Sequence, residues 1–122
     1  MANLPYSTRA LLWIGSSKDD ISAFPQAAKT VLGFSPRLVQ SGATPDNATP
    51  LPQVGPGVFE LGTAASGNAY RVVYVLKLKA GVYVLDAFVK KSKRGKAIPR
   101  EIRDRIARRY VFAVRQDRES RP

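Results

Sequence analysis

The stretch YRVVYVLKLKAGVYVLDAFV, residues 70–89, decides the fold of this chain. Runs rich in β-branched and aromatic residues lie on both sides of Lys79-Ala80-Gly81, which is typical of two strands joined by a turn. Upstream, Val58-Phe59-Glu60-Leu61 predicts another strand, and Ser66-Gly67-Asn68 predicts the turn between it and residue 70. Three successive strands with short connections predict an antiparallel meander.

The residues before the meander predict one strand and then helices. The apolar run within residues 8–14 predicts a buried strand. Residues 17–41 begin with a sequence that resembles a capping box and continue with apolar residues at helical spacing, so they predict helices. Pro25 is expected to open a second helix, since it would break the interior of a single one. The proline-rich stretch 42–58 predicts an extended, stiff loop.

A basic helix is predicted after the meander, where Ile102, Ile106 and Tyr110 follow Pro99 at a spacing of four. Residues 111–114 could extend this helix or form another strand, and the tail after about Arg115 is expected to fray. The elements together predict one α+β domain over residues 1–122. It would be a small antiparallel sheet of about four strands with helices packed on one side, namely the N-terminal helices and the C-terminal basic helix.

The composition excludes several kinds of chemistry. The chain has no Cys and no His, so disulfides, thiolate metal sites, Ser–His triads and an imidazole-based nuclease are impossible. No carboxylate cluster has metal-ligand spacing, and no glycine-rich loop leads into a helix, so we expect no metal and no cofactor. The apolar run at 10–14 is too short to span a bilayer or to form a signal-peptide core. We therefore expect a cytoplasmic protein without a membrane partner.

The positive charge is concentrated in the second half of the chain, whose formal net charge is +11. Residues 1–67 carry four Lys/Arg and four Asp/Glu, whereas residues 68–122 carry sixteen Lys/Arg and five Asp/Glu. Such a block attracts polyanions, which are nucleic acids, acidic proteins or anionic membranes. A solvated face that only keeps the protein soluble is the alternative, but its charge would be expected to spread over the whole chain.

Basic and phenolic side chains are the remaining candidates for chemistry. Arg71 can hold a phosphate through two parallel hydrogen bonds, and Lys90 and Lys91 can neutralise developing charge. Tyr70 and Tyr74 can stack on a base or bind a phosphate. RNA supplies its own nucleophile, the 2′-hydroxyl, so its cleavage requires mainly alignment and stabilisation of the charge on phosphorus.

Each candidate also has a purely structural interpretation. Arg71 could belong to a surface ion pair, the strand tyrosines could pack the sheet, and residues 90–96 could form a solvated or passive phosphate-contact segment. Glu60 could be a general base or an exposed strand carboxylate. Composition and spacing alone therefore predict an α+β domain that binds RNA or DNA.

A family resemblance is carried by five segments in a fixed order: Leu51–Leu61, Tyr70–Tyr74, Tyr83–Leu85, Ala87-Phe88 and Lys90-Lys91-Ser92. Together they resemble the phage-derived, HigB-like branch of the RelE/ParE toxin superfamily, over roughly residues 10–110. The resemblance implies a RelE-like fold and the toxin of a type II toxin–antitoxin system that cleaves mRNA in the ribosomal A site. It also implies three partners, namely a helix-turn-helix antitoxin, the ribosome and mRNA.

The resemblance implies roles for individual residues as well. Arg71 occupies the position of the strand arginine that the superfamily uses on the scissile phosphate, and Lys90 and Lys91 occupy that of the basic pair after the last strand. Glu60 lies on the strand that often supplies a charged side chain, and Tyr70 and Tyr74 flank Arg71. Further contacts with RNA or the ribosome are expected from Lys93, Arg94, Lys96, Arg100 and Arg103.

Three positions depart from the pattern of this branch. Gly62 stands where the branch commonly has Arg, Asp86 where it has His, and Val89 where it has Gln. Either the chemistry relies on Lys and Arg, or this copy is a weakened enzyme. Two alternatives to an mRNA endonuclease stay open: a non-enzymatic basic toxin, for example one that acts on gyrase, and a nucleic-acid-binding protein without toxicity.

Overall fold

The computed structural model describes residues 10–32, 48–76, 78–91 and 98–120, with the backbone alone at Lys91. The strands are β1 (Ala10–Trp13), β2 (Ala48–Pro50), β3 (Val58–Ala65), β4 (Asn68–Val75) and β5 (Gly81–Lys91). The helices are α1 (Ser17–Ser22), α2 (26–32) and α3 (Arg100–Arg118). The strands form one sheet in the order β1-β5-β4-β3-β2.

The predicted α+β class is confirmed, and the sheet differs from the prediction in two details. It has five strands where about four were expected, because Ala48–Pro50 pairs with β3 within the stretch predicted to be a loop. Pro50 is compatible with a strand here because β2 lies at the edge of the sheet. The other detail is that β1 runs parallel to β5, with Ala10 opposite Gly81, while the remaining pairings are antiparallel.

The turn between β3 and β4 fixes the register of the central strands. Ser66 and Gly67 both have positive φ, 52° and 82°, which is the backbone of a type I′ hairpin turn. A two-residue turn leaves no freedom in the pairing. Arg71 therefore lies directly opposite Gly62.

A bulge in β5 changes the direction of its side chains. Val73 pairs with Asp86 whereas the next residue, Tyr74, pairs with Val84, so Leu85 is the extra residue. As a result, Leu85 and Asp86 both point toward α3, although they are neighbours in sequence.

The helices cover both faces of the sheet, whereas one covered face was predicted. Phe24, Ala28 and Leu32 pack with Val72 and Tyr74 on one face. On the other face, α3 packs Ile106 and Ala113 against Val58, Val73, Val75, Tyr83 and Leu85. Strand alternation then places a polar set on the face that α3 covers: Glu60, Gly62, Arg71 and Lys90.

The predicted helices are found where the structure describes them. Pro25 opens α2, since the Lys29 amide donates to the Pro25 carbonyl over 2.9 Å. Residues 111–114 extend α3, which runs to Arg118. The part of the predicted helical region after residue 32 lies outside the described residues. Among the helices of the described ranges, none has the length and apolar character needed to cross a membrane.

Candidate active site

Arg71 on β4 occupies the middle of the candidate site. Its guanidinium lies across Gly62 of β3, where a Cβ atom would stand 2.8 Å from Arg71 Nη1 and 3.2 Å from its Cδ. Any side chain at residue 62 would therefore require the guanidinium to shift. The glycine at position 62 therefore provides the space in which the Arg71 guanidinium lies.

Glu60 binds Arg71 on the same face of the sheet. The distance from Arg71 Nη1 to Glu60 Oε1 is 3.4 Å, and the two side chains are 30% and 12% exposed. A partly exposed pair of this length contributes little to stability. Its effect is to orient a guanidinium that still reaches the protein surface, so the ion pair considered for Arg71 exists and leaves the residue accessible.

The Nε atom of Arg71 is buried and has no hydrogen-bond partner among the described residues. A buried donor without an acceptor costs on the order of 1–3 kcal/mol. Native proteins keep few such groups, and a role in binding or catalysis is one reason for keeping them. An acceptor supplied by a ligand, such as a phosphate oxygen, would satisfy this donor.

Lys90 lies on the same face, near the end of β5. It pairs with Ala69, two residues before Arg71, so Lys90 and Arg71 are diagonal neighbours across two strands. Diagonal neighbours are roughly 7–8 Å apart, which long side chains can bridge. The structure therefore brings Arg71, Glu60 and Lys90 together.

Four other predicted basic residues cannot be placed in the same way. Lys91 ends β5 opposite Asn68, and its side chain is not among the described parts of the chain. Lys93, Arg94 and Lys96 lie outside the described residues. Their roles stay predictions.

Tyr70 and Tyr74, which were predicted to contact RNA, lie on the opposite face from Arg71. Tyr70 packs against Phe24 with ring centroids 4.9 Å apart, and Tyr74 stacks on Phe59 at 5.7 Å. They are 6% and 2% exposed. Burial raises the pKa of Tyr74 to about 12, and its hydroxyl has no partner within the described ranges. Both rings pack the core, and a contact with RNA stays a prediction.

Arg100 and Arg103 are exposed at the start of α3. Arg100 Nε approaches Asp104 Oδ2 at 4.0 Å, a pair between largely exposed side chains. Their position at the surface is compatible with the ribosome contact, which stays a prediction.

Sequence reasoning missed a charge cluster on the α3 face. Asp86 is fully buried and accepts two hydrogen bonds of 2.7 Å from Arg105, through Nε and Nη2. Arg109 Nη1 lies 3.3 Å from the same carboxylate and donates to the Leu85 carbonyl over 3.0 Å. The hydrogen bonds to Asp86 raise the pKa of Arg105, although burial opposes this shift.

A signal for this cluster was present in the sequence. Asp86 is a single carboxylate within an apolar strand, and a buried carboxylate requires a cationic partner. Arg105 and Arg109 are four residues apart on α3 and so share one helix face. Asp86, at the position where the related branch commonly has His, is an acceptor for two arginines. The described residues contain no group of three or more His, Cys, Asp or Glu that could bind a metal ion.

Comparison with known proteins identifies the family. The fold and the basic face define a small α+β protein with a cationic site, and the family model described as phage derived protein Gp49-like matches residues 19–118. The chain therefore belongs to the Gp49-like family, which is a family of RelE/HigB-type toxins in toxin–antitoxin systems. Membership implies an antitoxin partner. No curated protein and no solved structure matched the chain.

Proposed function

We propose that this protein is a HigB-like toxin of a type II toxin–antitoxin pair that acts in the cytoplasm as a metal-independent, ribosome-dependent mRNA endonuclease. The observation that carries this proposal is the exposure and the incomplete hydrogen bonding of the Arg71 guanidinium. Its guanidinium is partly exposed over Gly62, is oriented by Glu60, and has a buried Nε without a partner among the described residues. Such a group matches a phosphate-binding arginine.

In the proposed reaction the RNA 2′-hydroxyl attacks the adjacent phosphorus while the bond from phosphorus to the 5′-oxygen of the next nucleotide breaks. Glu60 holds Arg71 through Nη1, so Nε and Nη2 are the two donors left for the phosphate. To bind it, the Arg71 side chain rotates over Gly62 and exposes these two donors. A guanidinium edge fits two phosphate oxygens through parallel hydrogen bonds.

Charge and protons are assigned to the remaining residues of the site. Lys90 and Lys91 stabilise the additional negative charge on the phosphate, and one of them protonates the leaving 5′-oxygen. Glu60 accepts the proton of the 2′-hydroxyl. In the alternative, Glu60 only keeps Arg71 in place through the ion pair, and a water molecule accepts that proton. Arg100, Arg103 and the lysine-rich segment after β5 bind ribosomal RNA, which accounts for the position of the excess charge.

Controlled induction in a bacterial host, with mapping of the 5′ ends of a reporter mRNA, tests the proposal. We expect codon-phased cuts with the wild type and at least about 100-fold fewer cuts with Arg71→Ala, the scale of losing one key transition-state contact. Arg71→Lys keeps the charge without the paired hydrogen bonds, so its loss is expected to be smaller. Lys91→Ala is expected to reduce cutting. Lys18→Ala, an exposed lysine of α1, is the matched control.

The outcomes separate the alternatives. Full cutting by a folded Arg71→Ala variant would refute the site. Growth arrest without cuts would refute the endonuclease and favour a non-enzymatic toxin, whose action on gyrase would be visible as DNA-damage signalling. Absence of growth arrest, with steeply salt-dependent binding to nucleic acid, would favour a binding protein without toxicity.

A further inference from the structure

The outer side of α3 carries apolar side chains that the fold leaves unpacked. Val111 and Phe112 are each 53% exposed, more than the other exposed large hydrophobic residues of the described ranges. They lie in a helix whose other exposed residues are mostly charged. Scattered apolar residues on a surface need no explanation, whereas apolar residues beside a groove indicate a binding surface.

A groove runs along α3 and is lined by Val111, whereas Phe112 lies outside its lining. Its larger part has a volume of about 490 Å³ and lies between α3 and the turn that contains Val54. A smaller depression of about 200 Å³ continues toward the end of the helix. The two parts share Tyr110 and Val111, so they form one track, here called the α3 groove. Its apolar lining consists mainly of Val54, Ile98, Ile106, Tyr110, Val111 and Val114.

Arginines mark both ends of the α3 groove. Arg103 lines one end, and Arg115 and Arg118 line the other. The two ends are about 22 Å apart along the helix axis, at 1.5 Å per residue. Within the described ranges these three arginines form no ion pair, in contrast to Arg105 and Arg109, which bind Asp86. The groove thus combines an apolar floor with uncompensated positive charge at its ends.

We propose that the α3 groove is the docking surface for an acidic segment of the antitoxin that also carries large apolar side chains. The apolar side chains fill the space beside Tyr110 and Val111, and carboxylates of the segment pair with Arg103 at one end and with Arg115 and Arg118 at the other. This inference rests on the proposed function, because the antitoxin is the partner that a toxin requires.

The apolar component favours a protein segment over RNA. An RNA backbone would use the arginines but offers little apolar surface to Val111 or Phe112. Burying a large apolar side chain contributes about 1.5–3 kcal/mol, which an amphipathic peptide in a groove gains and a phosphate chain does not. The charged ends provide complementarity and increase the rate of association with an acidic partner.

The position of the groove indicates how docking would inhibit the toxin. Arg71 does not line the groove, whereas Arg103, one of the predicted ribosome contacts, does. An antitoxin segment in the groove therefore covers basic surface that the ribosome requires. It does so without entering the candidate active site.

Isothermal titration calorimetry with the purified cognate antitoxin tests the proposal. The full-length toxin is used in an Arg71→Ala background so that it can be produced without the antitoxin. We expect Val111→Glu, and separately the double change Arg115→Glu and Arg118→Glu, to raise Kd at least about 100-fold, as for central interface residues. Val31→Glu, which alters a residue that is 42% exposed on α2, is the control and is expected to change Kd less than about threefold.

Circular dichroism and thermal unfolding confirm that each variant is folded before its Kd is interpreted. Groove variants that bind as tightly as the background protein would overturn the docking surface and leave toxin–antitoxin pairing intact. Failure of the background protein to bind, with no rescue of growth when the antitoxin is co-expressed with the wild-type protein, would overturn both the docking surface and the toxin–antitoxin pairing. Loss of ribosome binding with unchanged antitoxin affinity would assign the groove to RNA and overturn the inference. Failure of the endonuclease alone would appear in the mRNA cuts and not in Kd.

Discussion

Arg105 binds Asp86 through two parallel hydrogen bonds, Nε to Oδ2 and Nη2 to Oδ1, each 2.7 Å long. Because Asp86 is fully buried, this contact places a charge within a largely apolar interface between β5 and α3. A buried ion pair adds little to the net stability of the fold, and its main effect is to favour one packing arrangement over others. Removing one partner nevertheless destabilises the protein strongly, because the other charge stays buried without a partner. The cluster therefore determines where α3 lies on the sheet.

Replacing Asp86 by Asn is expected to lower the free energy of unfolding by about 3 kcal/mol, because Arg105 and Arg109 would then face a neutral group in a buried position. Urea unfolding monitored by circular dichroism measures this change. Asp104→Asn, on α3, is the control, since Asp104 forms only an exposed 4.0 Å pair with Arg100. We expect it to cost less than about 1 kcal/mol. Equal losses in the two variants would contradict the assigned role of Asp86.

Asp117 connects the end of α3 to the turn between β4 and β5. It accepts hydrogen bonds of 2.7 Å from the amides of Lys79 and Ala80 and one of 3.2 Å from the Tyr83 hydroxyl. Burial alone would raise the pKa of Asp117, but these hydrogen bonds and the charge of Lys79 outweigh burial and hold the pKa below 3.8. The unfolded chain therefore binds the proton more readily than the folded protein does.

This pKa difference predicts an acid-dependent loss of stability. The stabilisation from Asp117 is present above about pH 3.8 and is lost as the pH falls through the lower pKa of the folded state. Asp117→Asn is expected to lower the free energy of unfolding by on the order of 1–3 kcal/mol at neutral pH. As the pH falls, the stability of this variant is expected to decline less steeply than that of the wild type. Urea unfolding at a series of pH values from neutral to acid compares the two, and parallel curves would refute the assignment.

Tyr74→Phe is expected to leave the free energy of unfolding at neutral pH unchanged or to raise it by up to about 1 kcal/mol, because the Tyr74 hydroxyl is buried without a partner among the described residues. In the wild type the pKa of Tyr74 is raised from 10.0 to about 12, so stability falls as the pH rises through this interval. The variant is expected to show a smaller fall, since burial raises the pKa of Tyr83 as well and that contribution remains. Thermal unfolding of both proteins below pH 10.0 and between pH 10.0 and about 12 measures this difference in stability.

The same variant tests the predicted RNA contact of Tyr74. From its burial we expect mRNA cutting to be preserved. A large loss of cutting in a folded Tyr74→Phe protein would show instead that the hydroxyl becomes accessible and contacts RNA.

Gly62→Ala is expected to reduce mRNA cutting about 10- to 100-fold while leaving the fold intact, because a small misplacement of a catalytic group can cost up to about 100-fold in rate. The new Cβ atom would stand 2.8 Å from Arg71 Nη1, the end of a flexible side chain, so the guanidinium moves and the backbone does not. Mapping of mRNA 5′ ends measures cutting, and urea unfolding measures stability. Ala64→Gly, on the same strand, is the control; unchanged cutting by Gly62→Ala would refute the proposed position of Arg71.

The central meander could be predicted because local patterns determine it. The β-branched runs predict three strands, and the Ser66-Gly67 turn fixes the register of β3 and β4, without reference to the rest of the chain. The edge strand β2 could not be predicted, since its three residues include Pro50 and show no periodicity. The parallel direction of β1 depends on contacts between residues far apart in sequence.

The candidate site could be predicted in part for a similar reason. Alternation along the hairpin of β3 and β4 is enough to place Arg71 and Glu60 on one face, whereas the position of Lys90 also depends on the bulge at Leu85. The surroundings of Asp86 could not be derived this way, because the bulge at Leu85 shifts the alternation by one residue and turns Asp86 toward α3. The burial of Tyr74 likewise depends on which helices cover which face.

The pairing of β1 with β5 has a consequence for the order in which the chain folds. The hairpins formed by β3, β4 and β5 close over short loops, whereas joining Ala10 to Gly81 closes a loop of about 70 residues. We therefore expect the meander to form first and β1 to dock last. During synthesis β1 has to wait until β5 has left the ribosomal tunnel. The sheet of a newly made chain thus stays incomplete for as long as β5 is still inside the tunnel.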